Sequence, residues 1–184
     1  MGNDFTYCPA CGGTNISYVD HKKWQCPDCG FKLYNNVAAS VALIIMDGSG
    51  NVLFEKRAKE PRKGFLALPG GFCDQDESAE HAALRECMEE TGMQPAAINY
   101  LCSFPNTYDY AGIRYKTCDL FFVASLEETF CGKDLLSQLH RQQSEVLSFC
   151  MKKISGIPDV EALPLAFESA GKALRFWTGK GGEK

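Results

Sequence analysis

Glu86, Glu89 and Glu90 stand at i, i+3 and i+4 in the stretch ALRECMEETGM, residues 83–93. On a helix this spacing crowds three carboxylates onto one face, and each like-charged pair costs a few tenths of a kcal/mol. Binding of a hard cation offsets that repulsion: clustered carboxylate oxygens suit Mg2+ or Mn2+. Magnesium keeps part of its shell for water and phosphoryl oxygens, so a phosphate-bearing substrate is the natural partner. A glutamate-rich helix face can equally be plain solvated surface. Here Arg85 is the lone basic residue of the stretch.

A second set of ligands lies near the N-terminus. Cys8-Pro9-Ala10-Cys11 and Cys26-Pro27-Asp28-Cys29 form two C-x2-C pairs separated by fourteen residues. Two short turns can each present two thiolates to one tetrahedral Zn2+. Gly12 and Gly30, directly after each pair, allow the backbone to turn tightly around the sulfurs. Ile16, Tyr18, Val19 and Trp24 between the pairs are expected to form a small hairpin. So short a module builds little core, and metal supplies its folding energy. Its exposed-type aromatics invite a nucleic-acid reading, but Lys22, Lys23 and Lys32 are balanced by Asp4, Asp20 and Asp28. A neutral module lacks the phosphate-binding footprint and argues against nucleic acid as a partner.

The elements that must position these groups follow from pattern. VAASVALIIM, residues 37–46, is an apolar β-forming run that reads as a buried strand. DGSGN is a turn and VLFEKR a returning strand. A basic loop with Arg57, Lys59, Arg62 and Lys63 follows, then the short apolar run FLALPGG. The carboxylate helix is expected over about 78–91, with Gly92 as its C-terminal cap. Leu84, Cys87 and Met88 would form its core face. Ala79, Ala82 and Ala83 would precede the glutamates on the acidic face and leave open space there. AINYLCSF and IRYKTCDLFFVASL read as long strands either side of a turn region, PNTYDYAG. Residues 133–144 are polar and allow a helix, and EVLSFCMKKI reads as a strand. Phe167, Ala170, Leu174 and Trp177 give a terminal amphipathic helix. The expected plan is a zinc ribbon over 1–35, one α/β domain over 36–178 and a flexible tail over 179–184.

Gly71, Glu77, Arg85, Glu86, Glu89, Glu90 and Gly92 complete a longer pattern. It resembles the Nudix box, G-x5-E-x7-R-E-U-x-E-E-x-G-U, where U is a bulky aliphatic residue. Cys87 departs from the first aliphatic position, and Met93 conserves the last. The resemblance implies an α/β/α sandwich with a mixed sheet, and hydrolysis of a nucleoside diphosphate linked to another group. It implies that Glu86, Glu89 and Glu90, with the carbonyl of Gly71, hold Mg2+ or Mn2+. It also implies a salt bridge between Glu77 and Arg85 that pins the preceding loop. For the general base it leaves Glu86 and Glu145 open, the latter lying just before the strand VLSFCM.

A four-cysteine ribbon directly before such a domain is similar to the NADH pyrophosphatase branch of the family. That branch carries the signature S-Q-P-W-P-F-P-x-S after the box. Here CSFPNTYDY keeps Ser103, Phe104 and Pro105 but not the tryptophan segment, and only seven residues precede Cys8. NADH, ADP-ribose and other nucleotide sugars therefore stay open as substrates. Phe104 and Tyr108 are the residues expected to stack on a base or nicotinamide ring. The alternative is a non-catalytic, nucleotide-sensing relative whose ribbon contacts nucleic acid or protein.

Composition limits the remaining possibilities. The chain has 184 residues and a formal net charge of −4, which provides no general attraction to nucleic acid or anionic membrane. No apolar run is long enough to span a bilayer. Ten cysteines without a secretory leader point to a reducing cytoplasm rather than a disulfide framework. Cys73, Cys102, Cys118, Cys131 and Cys150 lack ligand spacing and read as core or surface thiols. A homodimer is left open.

Overall fold

The computed structural model describes residues 5–47, 49–126 and 135–180. The chain divides into two compact units. One comprises Met1–Val37 with Thr107–Lys116, the other Ala38–Asn106 with Thr117–Lys184.

In the first unit, β1 (Ser17–Val19), β2 (Lys23–Gln25) and β3 (Lys32–Tyr34) form an antiparallel sheet in the order β1-β2-β3. The expected hairpin is present, and a third short strand joins it. Phe5 and Tyr18 pack their rings on Trp24 at centroid distances of 5.2 and 5.0 Å.

The second unit is built on two three-stranded sheets. One runs β4 (Ala38–Ile45), β8 (Ile113–Ser125), β7 (Ala97–Tyr110); the other runs β6 (Leu66–Ala67), β5 (Asn51–Arg57), β9 (Val146–Lys153). β4 is parallel to β8, and β5 is antiparallel to both its neighbours. The helices are α1 (Ala79–Thr91), α2 (Ile157–Glu161) and α3 (Glu168–Lys180).

Alternation explains why β4 is apolar from Val41 to Ile45. Val41, Leu43 and Ile45 join a core with Ala82, Ala83 and Cys87 of α1. Ile44 joins a second core with Ala170, Ala173 and Leu174 of α3. Phe121 and Phe122 of β8 likewise separate into the two cores. A strand covered on both faces reads as a nearly continuous apolar run, and the one polar residue of β4, Ser40, bonds Asp119.

Several local expectations change. After β4 the turn closes on Asp47, whose carboxylate accepts the N–H groups of Ser49 and Asn51 at 2.8 Å. The isolated Met46–Val52 bridge and the Asp47 N–H, donated to the Asn51 carbonyl at 3.0 Å, join the two arms before β5 enters the other sheet. PNTYDYAG is mostly strand: β7 continues to Tyr110, and the chain reverses at Ala111-Gly112, both at positive φ. Where a helix was allowed over 133–144, the described part holds only a 3-10 turn, Leu135–Gln138. α2 was not foreseen, being too short to show periodicity. α3 runs on to Lys180, so residues 179 and 180 are helical rather than tail. Cys131 and residues 181–184 lie outside the described residues.

The core face of α1 is also corrected. Ala82, Ala83 and Cys87 are fully buried, whereas Met88 is exposed. The small side chains let α1 approach the sheet closely, and a face bearing Met88 could not. The space beside the glutamates is therefore not left by alanines.

Candidate active site

Local rules place α1. The Ser78 side chain accepts the His81 N–H at 3.2 Å as N-cap. Gly92 ends the helix at φ 72° and donates its N–H to the Met88 carbonyl. The loop before the helix is fixed by Arg85. Its Nε and Nη2 reach the two oxygens of Glu77 at 3.0 and 2.8 Å, and Nη2 also donates to the Phe72 carbonyl at 3.0 Å. Hydrogen bonding from Arg85 holds the Glu77 carboxyl down to about 2. The same guanidinium turns Nη1 to Glu86 at 2.8 Å and to Glu89 at 3.4 Å. One cation thus relieves most of the like-charge crowding noted in the sequence.

The three box glutamates do not share one environment. Glu89 is exposed, Glu86 is largely covered, and Glu90 is buried at 3% exposure. Glu86 lies against the backbone of Gly71: a Cβ placed on Gly71 would fall 2.5 Å from Glu86 Oε1. Glu90 accepts the Gly70 N–H at 2.7 Å through Oε2. Burial, then the charge of Glu86, pushes Glu90 up to about 8, although the Gly70 N–H pulls the other way. Burial also raises Glu86.

The Gly71 carbonyl is already engaged. It accepts the Val41 N–H at 2.8 Å, and the Pro69 carbonyl accepts Leu43 N–H at 2.9 Å. These bonds stitch the loop to β4 and direct the Gly71 oxygen toward that strand. Gly70, between them, sends its N–H to Glu90 instead. Gly70 has φ 148°, and any Cβ there would strike the Val41 carbonyl, so only glycine fits.

Glu145 forms an ion pair with Lys59 of the basic loop, and its backbone carbonyl accepts the Ala58 N–H at 2.7 Å. Its charge reaches Glu55, Glu86 and Glu90 and raises all three. Of the expected aromatics, Phe104 packs on the core with its ring 6.5 Å from Phe121. Tyr108 belongs to the other compact unit, with its ring 6.4 Å from Tyr110. In the second unit the structure therefore gathers Gly71, Glu77, Arg85, Glu86, Glu89, Glu90 and Glu145.

Sequence reasoning missed Glu55. It lies on β5 beside Phe54 and is 2% exposed. Its carboxyl hydrogen-bonds that of Glu90, and burial followed by the Glu90 charge raises it well above the ordinary carboxylate range. The available signal was a glutamate directly after the apolar run VLF of a strand.

The cysteine cluster is the other candidate centre. Cys8, Cys11, Cys26 and Cys29 place their sulfurs within 4.8 Å of one another. Cys8–Cys29 and Cys11–Cys26 are 3.6 and 3.8 Å apart. A tetrahedron with metal–sulfur bonds of about 2.3 Å has edges of about 3.8 Å, so the set fits zinc. Both turns repeat one pattern: Cys8 N–H to Gly13 and Gly12 N–H to Cys8, then Cys26 N–H to Phe31 and Gly30 N–H to Cys26. Gly12 and Gly30 take φ of 73° and 77°, as the tight turns require. Despite burial, backbone N–H groups and neighbouring thiols bring Cys8 down to about 7. Against a backbone bond from Phe31, burial and three neighbouring thiols push Cys29 up to about 12. All nine described cysteines are free.

A family model for the NUDIX domain matches residues 36–147, more than half of the chain. The chain belongs to the Nudix family. Among curated relatives, NAD-capped RNA hydrolase NudC of Pseudomonas aeruginosa is 32% identical over 100 residues, covering 53% of this chain and 34% of that protein. ADP-ribose pyrophosphatase of Methanocaldococcus jannaschii is 43% identical over 65 residues, 35% of this chain and 38% of that one. The chain thus spans little more than a third of the length of these relatives. Among solved structures, a NUDIX hydrolase from Nitrosomonas europaea superposes with a TM-score of 0.63 at 21% identity, covering 97% of this chain and 93% of the other. The NUDIX domain of Shewanella oneidensis NrtR, solved with ADP ribose, gives 0.57 at 23% identity and covers 82% and 91%. These likenesses establish the Nudix α/β fold with its mixed sheet. Among the described residues, no helix is long and apolar enough to cross a membrane.

Proposed function

We propose that this Nudix protein is a Mg2+- or Mn2+-dependent pyrophosphohydrolase. Its substrate is a nucleoside diphosphate linked to a second group, NADH, ADP-ribose or a related compound, and one product is a nucleoside monophosphate. The observation that carries this reading is the pinned loop. Arg85 ties Glu77 and Phe72 to the helix, and Glu86 and Glu90 then rest against Gly71 and Gly70. Structural support of this kind is what a site for phosphoryl chemistry requires.

Glu86, Glu89 and Glu90 would hold the cations. The Gly71 carbonyl is the proposed further contact: it accepts the Val41 N–H with one lone pair and keeps a second for a cation. Bound magnesium supplies charge neutralisation at the diphosphate and acidifies a water molecule. Glu145 is the proposed base; Lys59 holds its carboxylate, and the leaving phosphate is the natural competitor for that lysine. Arg85 and Glu77 position the loop rather than touch substrate. At least one of Phe104 and Tyr108 is the proposed stacking residue, Phe104 being the one that lies in the same unit as the glutamates, and alanine at both should raise KM. Cys8, Cys11, Cys26 and Cys29 would hold Zn2+ as a folding element. The proposed setting is a reducing cytoplasm, in keeping with four thiols gathered as one ligand cluster. The names of the relatives, NAD-capped RNA hydrolase and ADP-ribose pyrophosphatase, both support an ADP-containing substrate.

The deciding experiment is chromatographic product analysis with Mg2+ over NADH, NAD+, ADP-ribose, FAD, dinucleoside polyphosphates and sugar nucleotides. The Glu90→Gln protein serves as the blank. AMP released by the parent and lost in the variant is the expected result. Binding of a nucleotide without turnover would overturn the hydrolase reading in favour of a sensor.

A further inference from the structure

We propose that Glu55 is an additional carboxylate of the cation site, joining the ligand set beside Glu90 from the sheet side when a divalent metal binds. The inference rests on the proposed metal-dependent reading and extends its ligand set beyond the box.

Three observations carry it. Glu55 is 2% exposed and sits on β5 next to the fully buried Phe54. Its side chain meets the carboxyl of Glu90, whose other interaction is the Gly70 N–H. Its Oε2 is buried and has no hydrogen-bond partner among the described residues. A buried carboxyl oxygen left without a donor is costly, and native structures rarely retain one without a reason.

Among the described residues, no side chain of the second unit donates to that oxygen in the arrangement seen. Arg57, two positions along β5, donates Nε to the Pro61 carbonyl at 2.9 Å and lays its guanidinium over the Phe167 ring at 5.1 Å. Lys59 is occupied by Glu145, and Arg85 by Glu77, Glu86 and Glu89. The strand cannot turn Glu55 outward either, because β5 is the central strand of its sheet and pairs Glu55 with Ala67 on one side and Phe149 on the other. A divalent cation shared with Glu90 satisfies the orphan oxygen and offsets the juxtaposition of two carboxyl groups. Hard cations take oxygen ligands from buried carboxylates in this way.

The test is Mn2+ binding by calorimetry and by the free-ion electron paramagnetic resonance signal, on the parent, Glu55→Gln and the surface control Glu80→Gln. Glutamine keeps the volume and the hydrogen bond to Glu90 but removes a charged ligand. The expected result is a loss of affinity of about tenfold or more in Glu55→Gln, with the control unchanged. Melting in chelator, then with Mn2+, gives a second readout: the variant should be at least as stable as the parent without metal, because it lacks a buried carboxyl that must stay protonated, and should gain less on metal addition. If glutamine does not fold, Glu55→Met, which removes both charge and donor demand, carries the same comparison. Parent-like Mn2+ affinity in a folded Glu55 variant overturns this inference alone. A parent protein that binds no Mn2+ overturns the metal-dependent reading on which it rests.

Discussion

Gly71, which begins the box, and Gly70, directly before it, allow the fold and the chemistry to be perturbed separately. An alanine Cβ at Gly71 would lie 2.5, 2.6 and 2.8 Å from Glu86 Oε1, Cδ and Oε2, against an ordinary contact distance of 3.4 Å. The carboxylate must withdraw by about 0.9 Å, and as the end of a flexible side chain it can. Gly71 is not in the left-handed region, so alanine there brings no backbone strain and removes about 0.4–1 kcal/mol of unfolded-state freedom. Gly71→Ala should therefore melt within about 4 °C of the parent. A carboxylate displaced by about 1 Å costs on the order of 100-fold in rate when it positions a reacting group. Gly70→Ala reverses this profile. Its Cβ would meet the Val41 carbonyl and lie 2.7 Å from Ala42 Cα, and its φ of 148° excludes other residues. Backbone cannot yield as a side chain does, so a loss of at least about 3 kcal/mol is expected. The assays are calorimetric melting and turnover of whichever compound the parent hydrolyses. A Gly71→Ala protein with kcat within about twofold of the parent would refute the placing of Glu86 in the chemistry.

Stability should depend on pH with a sign that metal changes. Glu90 at about 8 in the fold, against an ordinary 4.5, keeps a proton that the unfolded chain has released, and Glu55 is shifted the same way. Stability in chelator should then fall as pH rises from about 4.5 to about 8, and Mg2+ should add most at the alkaline end. Glu77, held near 2, acts oppositely: its contribution is present above 4.5 and lost as pH falls toward 2. Melting curves across this range in chelator, flat between pH 4.5 and 8, would contradict the burial argument. For the ribbon, elemental analysis should find one zinc per chain, lost in Cys26→Ser. Chelation should red-shift the fluorescence of Trp24, now 7% exposed between Phe5 and Tyr18. No zinc in protein purified without chelator would refute the ribbon as a metal module.

Spacing along the chain was enough for whatever depends on local geometry. The two C-x2-C turns, the helix from its Ser78 cap to Gly92, and the eight-residue step from Glu77 to Arg85 are short-range relations. Backbone stereochemistry largely sets these, so they could be read from ESAEHAALRECMEETG and its neighbours. The orientation of α1 could not. The wheel assigned Leu84 and Met88 to the core because they are the larger apolar groups, but packing distance against β4 selected Ala82, Ala83 and Cys87. That rotation separates the three glutamates into exposed Glu89, covered Glu86 and buried Glu90. The same limit hid Glu55 and the engagement of the Gly71 carbonyl. Both depend on which strand lies beside which, β5 beneath Glu90 and β4 beside the loop. Such pairings join residues far apart in sequence, and their energies reside in desolvation and contact that no periodicity records.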